Sequence, residues 1–299
     1  MASMITIGTD TEIFARDKMG RAIALCGKIG GSKEEPKQLK LGKGFCVQED
    51  NVAVEFNIPP VNSVDYWNRF IEATLKEVST LLASMSLYFT EDVAISFDKD
   101  QLIHPNALVF GCEPDYNAWT KMENSKPTCD NPALRTAGGH IHVGTRGNII
   151  HAVEAMDLFL GVPSVLLDDS PASMSRRTLY GKAGAMRPKS YGFEYRVLSN
   201  FWVFSELTRT WVFHNTARAV SMNKIPSKYA GDIQACINNG DKDLAKKLIT
   251  EFSIPMPNSY KKEGNQPPQE GLSYPNASFI DWYSNTILTQ SIIIDDPQS

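Results

Sequence analysis

One short stretch, with glycines at both ends, indicates the fold of this chain: Gly138-Gly139-His140-Ile141-His142-Val143-Gly144. Side chains along a β-strand alternate between its two faces, so an extended conformation places His140 and His142 on one face. Ile141 and Val143 then point to the other face, toward a core. Two of the five histidines in the chain therefore share one polar face. A sheet presents ligands to a metal, or donors to a phosphate, in this way.

The same alternation recurs in three other segments, at residues 5–12, 50–60 and 192–197. In each, an apolar face lies opposite two polar side chains that share the other face. These polar pairs are Asp10 and Glu12, Glu55 and Asn57, and Glu194 and Arg196. Each acid taken singly is also consistent with a solvated strand position. Because the pattern occurs four times, we predict a sheet whose polar face carries a functional site.

Composition is that of an ordinary globular protein, with 42% hydrophobic and 21% charged residues in 299. The net charge of −4 is unlike the basic stripe of a nucleic-acid-binding protein, so no nucleic-acid partner is predicted. Five cysteines without a C-x-x-C motif argue against a disulfide scaffold and favour a reducing compartment. We find no signal segment and no continuous apolar run of about 20 residues. The expectation is a cytoplasmic protein without a membrane span.

Apolar spacing predicts three long helices, over residues 63–87, 148–167 and 205–222, with Ser63 and Ser205 as caps. Shorter helices are predicted over 228–238 and 241–252, and a strand over 88–97. Residues 121–136 and 254–278 are rich in loop-forming residues. Grouped strands separated by long helices are typical of an α+β fold rather than a doubly wound parallel sheet. Without a break in composition, residues 1–299 are predicted to form a single domain.

A basic segment, residues 175–192, runs directly into the strand that carries Glu194. Its cations lie among glycines and are Arg176, Arg177, Lys182, Arg187 and Lys189. Arginine binds phosphate or carboxylate through two parallel hydrogen bonds. The segment is therefore predicted to be a flexible loop that binds an anion, and the alternative is a solvated basic loop. Neither G-x-G-x-x-G after a strand nor a P-loop motif occurs.

The order of these motifs resembles the phage and bacterial carboxylate–amine ligases (amidoligases) of the glutamine synthetase-like superfamily. The resemblance covers about residues 4–215 and also includes residues 110–116. Its main motifs are G-T-D-T-E-I-F at 8–14, D-N-V-A-V-E-F-N-I-P-P at 50–60, G-G-H-I-H-V-G at 138–144, R-R-T-L-Y-G-K-A-G-A-M-R at 176–187 and Y-G-F-E-Y-R-V-L-S-N at 191–200. It implies a glutamine synthetase-like core, in which helices pack on the outer face of a curved, mainly antiparallel sheet.

The resemblance also implies a set of site residues. Metal ligands for Mg²⁺, or for Mn²⁺, would be Glu12, Glu55, His140 and Glu194, with Asp10 as a further candidate. Arg187, Arg196 and His142 would act on the transferring phosphoryl group. Residues that bind ATP would be Arg177, Tyr180, Lys182 and His142.

By the same resemblance, the chain would pass the γ-phosphate of ATP to a carboxylate and then form an amide with an amine. Both substrates would be small molecules or peptides, and the oligomeric state stays open. The location would be the host cytoplasm if the chain is phage-encoded. Two alternatives remain: a phosphotransferase of the guanidino-kinase type, and a non-catalytic binding protein on the same fold.

One departure from the pattern concerns the acids next to Glu55. Glutamine synthetase carries a second glutamate after the corresponding strand, and this chain does not. Asp50 lies five residues before Glu55, an odd offset that places it on the opposite face unless a turn or bulge intervenes. The number of metal ions therefore stays open.

Overall fold

The computed structural model describes residues 5–108, 115–222 and 224–257. Its strands are β1 (Thr6–Asp17), β2 (Ala22–Ile23), β3 (Lys37–Gln38), β4 (Cys46–Asp50), β5 (Ala53–Asn57), β6 (Leu87–Thr90), β7 (Ala94–Ser96), β8 (Tyr116–Asn117), β9 (Met122–Glu123), β10 (Leu134–Thr136), β11 (Gly139–Gly144), β12 (Ala185–Lys189) and β13 (Gly192–Tyr195). Its α-helices are α1 (Val64–Ala83), α2 (Ile149–Met156), α3 (Val162–Leu167), α4 (Ser173–Leu179), α5 (Glu206–Ser221), α6 (Ala230–Asn239) and α7 (Lys242–Glu251).

Within the described residues, eleven strands form one sheet, and all of its pairings are antiparallel. The strand order is β3-β4-β5-β1-β11-β13-β12-β8-β9, and β2 and β6 also pair with β1. Strands β7 and β10 form a separate pair. The α+β class and the mainly antiparallel sheet are confirmed.

The apolar face of the sheet packs against the helices. Ile7, Ile141 and Phe193, from three adjacent strands, are fully buried in one core cluster with residues of the helices. On this face α1 contacts β1, and α2 contacts β13. The strand positions that alternate with this face carry the acids and histidines. Burial of one face therefore fixes the register that gathers the polar side chains on the other.

The predicted helices are present, and their bounds differ by a few residues. Helix α1 ends at Ala83, four residues before the predicted end, and Ser86 then adopts a positive φ of 60°. Ser63 occupies the N-cap position, but its side chain makes no capping hydrogen bond. Ser205 does cap α5, because its side chain accepts from the Leu207 amide.

The single strand predicted over residues 88–97 is wrong. Strand β6 pairs with β1, whereas β7 pairs with β10 in a different sheet. A turn separates the two strands, in which the Thr90 hydroxyl bonds to the Asp92 carboxylate and accepts from the Asp92 amide. Arg16 of β1 binds Asp92 at 2.9 Å and holds this turn against the sheet. The break between the two strands depends on these polar contacts. The prediction relied on the alternation of apolar residues, so it could not detect the break.

The predicted apolar helix over 148–167 is one helical stretch, Ile149–Leu167, in which the π-helical segment Asp157–Gly161 joins α2 to α3. Its length and mean hydropathy of 1.6 are sufficient for a membrane span, but 78% of it is buried inside the protein. It therefore has the burial of a core helix.

The basic segment is not the flexible loop that the sequence predicts. Its first part forms α4 and its last part forms β12, so Arg176 and Arg187 lie on regular elements. Strand β12 pairs with both β13 and β8, which fixes the position of Arg187 within the sheet. Of the loop predicted over 254–278, only residues up to 257 lie within the described ranges, and residues 110–114 lie outside them.

Candidate active site

Four neighbouring strands bring the predicted site residues together. Along β1, Asp10 lies opposite His140 of β11, and Glu12 lies opposite Glu55 of β5. His142 of β11 lies opposite Glu194 of β13. Directly opposed side chains on one face of an antiparallel pair approach within about 5 Å at Cβ. Pairing of the strands therefore turns four separate sequence motifs into one continuous polar surface.

A first group of possible metal ligands consists of Asp10, His140 and Glu194, called the histidine group here. His140 Nδ1 lies 3.2 Å from Asp10 Oδ1 and 3.6 Å from Glu194 Oε1. One ligand atom from each residue lies within 4.8 Å of the others. Among the described residues, the buried atoms Asp10 Oδ1 and His140 Nδ1 have no hydrogen-bond partner. Two carboxylates and an imidazole around unsatisfied ligand atoms fit a divalent cation such as Mn²⁺ or Mg²⁺.

A second group, called the acidic group, consists of Glu12, Asp50 and Glu55, whose ligand atoms also lie within 4.8 Å of one another. Glu12 Oε2 accepts from the Gly138 amide at 2.6 Å, and Glu55 Oε1 accepts from Gln48 Nε2 at 2.8 Å. The three carboxylates form no salt bridge with lysine or arginine within the described ranges. Three acids that form no lysine or arginine salt bridge in the described part of the chain fit a hard cation.

The hairpin between β4 and β5 explains why Asp50 joins this group. A two-residue turn separates the strands, Asp50 pairs with Ala53, and Gln48 pairs with Glu55. Asn51 in the turn adopts a positive φ of 57°. Across such a turn the odd offset places Asp50 on the same face as Glu55. The opposite-face placement that the offset alone suggested is therefore wrong, and the hairpin supplies a second acid.

Burial and nearby carboxylates raise the pKa of two members of the acidic group. Burial, followed by the charges of Asp10, Asp50 and Glu12, raises the pKa of Glu55 well above its usual range. Burial also raises the pKa of Glu12, although His140 opposes this effect. A divalent cation would remove this mutual repulsion and keep the carboxylates ionised.

In the histidine group, both carboxyl pKa values are lowered. Burial raises the pKa of Asp10, but His142 and His140 outweigh burial and hold it well below the usual range. For Glu194, burial and Asp10 act to raise the pKa, and Arg196, His140 and Arg187 lower it overall. The lowered pKa values favour the ionised form of Asp10 and Glu194, which is the form that binds a cation.

Three cations contact the Glu194 carboxylate. They are Arg187, Lys189 and Arg196, and they are called the basic wall here. Arg187 Nη1 and Lys189 Nζ lie 3.1 and 3.4 Å from Glu194 Oε2, and Arg196 bonds to Glu194 Oε1. Arg187 and Lys189 share one face of β12, whereas Arg196 follows the end of β13. Their side chains are 6–31% exposed, so they reach the cleft while remaining partly desolvated.

Two cavities meet at this surface. The larger has a volume of 470 Å³ and is lined by residues of all three sets, including Asp10, Glu55, His142 and Arg187. The smaller has a volume of 80 Å³, and its lining includes apolar side chains such as Leu134 and Leu179. Both cavities are lined by Glu12, Asp50, His140 and Arg196.

The three residues that the resemblance assigned to ATP alone are separated by the fold. Tyr180 lines the smaller cavity. Arg177 lines neither cavity, because its buried guanidinium points to α3 and donates to Ser164 Oγ at 3.0 Å. Lys182 is exposed and also lines neither cavity. Successive side chains on a helix diverge by about 100°, so adjacent Arg176 and Arg177 of α4 cannot both face the cleft.

Arg176, which the sequence placed in the basic segment without a specific role at the site, lines the smaller cavity. It donates to the carbonyls of Ala137, Arg196 and Val197 at 2.9, 3.3 and 2.8 Å. Arg176 thereby ties the start of β11 to the end of β13. Backbone acceptors leave no signal in sequence, so this role of Arg176 could not be predicted from the motif.

Two further residues near the site were also missed. Lys33, on the loop before β3, lines the larger cavity. Tyr191, in the turn between β12 and β13, stacks on His142 with ring centroids 5.9 Å apart. No motif in the sequence identifies either residue as part of the site. Tyr191 could have been found only from the hairpin that β12 and β13 form.

Comparison with known families adds one match. Residues 133–256 match the family described as phage phiEco32-like COOH.NH2 ligase-type 2. The matched range contains His140, His142, Arg187, Glu194 and Arg196. No curated protein matches the chain. Over residues 133–256, the match supports the amidoligase family that the sequence motifs indicated, and it supports an enzyme of ligase type.

Proposed function

We propose that this chain, whose residues 133–256 match the carboxylate–amine ligase family, is an ATP- and Mg²⁺-dependent ligase that joins a carboxylate to an amine through an acyl phosphate. One observation carries the proposal: two groups of metal-ligand atoms share a 470 Å³ cleft with a wall of cations. Phosphoryl transfer needs this combination, since charge must be neutralised on the nucleotide and on the transferring group.

The residues that would hold metal are the histidine group and the acidic group. Asp10, His140 and Glu194 offer two carboxylates and one imidazole, which suits Mn²⁺ as well as Mg²⁺. Glu12, Asp50 and Glu55 offer oxygen alone, which suits Mg²⁺. When bound, the cations supply Lewis-acid stabilisation of charge on the phosphates.

Arg187 and Arg196 are the residues best suited to hold the phosphates and the transferring group. Each is a planar donor fork, and both lie at the large cavity beside the histidine group. Lys189 adds a third positive charge on the same wall. Their ion pairs with Glu194 orient the side chains before the nucleotide arrives, which lowers the reorganisation required in the reaction.

The smaller cavity suits the body of the carboxylate substrate. It adjoins the larger cavity at Arg196 and both metal-ligand groups, so a carboxylate there can meet the γ-phosphate. Apolar side chains on its wall, with Tyr180 as a polar contact, favour a short and partly apolar substrate.

The proposed reaction has two steps and needs no external oxidant or reductant. A carboxylate oxygen attacks the γ-phosphorus of ATP, the bond to the β-phosphate oxygen breaks, and ADP leaves. The amine nitrogen then attacks the acyl carbon, phosphate leaves, and the nitrogen releases a proton to solvent. The chain's own contribution is to bind both anions, orient them and keep the acyl phosphate away from bulk water.

A substrate screen tests this proposal. Purified protein, ATP and Mg²⁺ are incubated with carboxylate and amine pairs, and ADP release and product mass are measured. We expect ADP release that needs the carboxylate, and a product whose mass equals acid plus amine minus water. Transfer of phosphate to a guanidino compound, without an amide, would instead identify a phosphotransferase. Absence of nucleotide binding would favour a non-catalytic protein.

A further inference from the structure

Tyr191 makes a pair of contacts with His142 that the ligase proposal does not use. Its hydroxyl lies 2.6 Å from His142 Nδ1, and the two rings stack at an interplanar angle of 15°. The opposite ring nitrogen of His142, Nε2, lies 3.0 Å from Asp10 Oδ2. Asp10 presents its other oxygen, Oδ1, to His140. Tyr191, His142 and Asp10 therefore form a chain of contacts that ends in the histidine group.

The backbone holds Tyr191 in this position. Lys189 pairs with Gly192, so residues 190 and 191 form a two-residue hairpin turn. The Tyr191 carbonyl accepts from the Thr145 amide at 3.0 Å, next to the strand that carries His142. Gly192 has a φ of 151°, and a Cβ there would lie 2.1 Å from the Val143 carbonyl oxygen. Only glycine permits the close approach that sets the tyrosine ring over the imidazole.

The Tyr191 hydroxyl can select one tautomer of His142. Burial, with the charges of Glu194 and Asp10, raises the pKa of Tyr191, so its hydroxyl keeps the proton. Where the phenol donates to Nδ1, that nitrogen offers its lone pair and the ring proton lies on Nε2. Nε2 is in close contact with the Asp10 carboxylate, 3.0 Å from Oδ2, although the two atoms do not form a hydrogen bond. Groups behind a metal ligand commonly set its orientation and charge in this way.

We propose that Tyr191 and His142 form an outer-sphere pair that positions Asp10 for a divalent cation, so that both act as positioning residues. This inference rests on the proposed function, because it requires a cation at the histidine group. It assigns His142 a role different from the phosphate contact that the family resemblance implies. Both ring nitrogens of His142 already lie within hydrogen-bonding distance of protein atoms, Nδ1 at 2.6 Å from the Tyr191 hydroxyl and Nε2 at 3.0 Å from Asp10 Oδ2.

Binding of Mn²⁺ without nucleotide tests the pair, measured by electron paramagnetic resonance of free and bound ion. Tyr191→Phe keeps the stacking ring and removes only the hydroxyl. We expect its Mn²⁺ affinity to fall about 10-fold, the lower end of the range typical for outer-sphere partners of a metal site. Tyr88→Phe is the matched control, because Tyr88 has the same 44% exposure and lies outside both cavities. It should bind Mn²⁺ as the wild type does.

Two further readouts separate positioning from structural support. The ¹⁵N shifts of His142 should indicate a protonated Nε2 in the wild type and a mixture of tautomers in Tyr191→Phe. Melting temperatures in EDTA should agree between these proteins, because within the described ranges the hydroxyl bonds to His142 alone, at a partly exposed position. Unchanged Mn²⁺ affinity in Tyr191→Phe, with weaker ATP binding, would overturn the inference and return His142 to a phosphate contact. A wild type that binds no Mn²⁺ would overturn the ligase proposal as well.

Discussion

The acidic group and the basic wall line the same cleft, yet their charges are balanced in different ways. Glu12, Asp50 and Glu55 face one another, and none of them forms a salt bridge with lysine or arginine among the described residues. Glu194, in contrast, forms salt bridges with Arg187, Lys189 and Arg196. The pKa of Glu55 is accordingly raised, and that of Glu194 is lowered.

This contrast separates two requirements of the site. Buried acids that repel one another lower the stability of the cation-free protein, and a bound cation restores it. Ion-paired arginines have part of their charge compensated, so they can be retained without a ligand and still contact an anion. We infer that the acidic group binds a cation and that the basic wall binds phosphate.

The largest expected effect comes from removing one charge of the acidic group. Glu55→Gln should lower ligase activity on the order of 1000-fold or more, because metal stabilisation contributes several kcal/mol to the transition state. Its melting temperature in EDTA should be equal to that of the wild type or higher, since the side chain keeps its size and loses repulsion. A large fall in that melting temperature would show that Glu55 supports the fold instead.

A smaller effect is expected from the basic wall. Arg187→Lys and Arg196→Lys keep the charge and lose the two-point geometry, so each should cost about 2–4 kcal/mol of transition-state stabilisation. The loss should appear in the maximal rate of ADP release more than in ATP affinity. Arg218→Lys, at an exposed position of α5, is the matched control. Near-wild-type rates in both variants would contradict a phosphate role for the wall.

Asp157 provides a buried acid outside the cleft for comparison. Its carboxylate accepts from Trp119 Nε1 at 2.6 Å and from the Tyr195 hydroxyl at 2.9 Å, and burial raises its pKa to about 7. A raised native pKa adds stability below the unfolded value near 4, and that stability is lost as pH rises through 7. The loss is about 4 kcal/mol at most.

The measurement is the melting temperature in EDTA between pH 5 and 8. It should fall over this range in the wild type, and the fall should be smaller in Asp157→Asn. Mg²⁺ should not change the Asp157 contribution, in contrast to that of Glu55. An equal pH dependence in the variant would mean that Asp157 is ionised in the native protein throughout.

The sequence was sufficient for the parts of the site that depend on strand alternation. His140 and His142 share one face, and so do Asp10 and Glu12, because the apolar residues between them must be buried. Pairing between strands was not predictable, since register depends on turns and on contacts distant in sequence. Asp50 shows this limit: its place beside Glu55 depends on a two-residue turn.

Residues on helices and in turns were the least predictable. Arg176 and Arg177 differ only in the direction in which α4 points them, and one faces a cavity while the other binds Ser164. Tyr191 reaches His142 because a glycine follows it at a position of positive φ. Such placements follow from packing of the whole chain and not from local spacing.

Calorimetric titration of the wild type with ATP, in Mg²⁺ and in EDTA, tests the central claim most directly. Because a cation is proposed to lie between the buried carboxylates and the phosphates, ATP should bind in Mg²⁺ and at least 10-fold more weakly in EDTA. Glu55→Gln, titrated alongside, should lose much of the difference between the two conditions. Equal ATP affinity with and without Mg²⁺ would contradict the account, because the acidic group would then have no part in nucleotide binding.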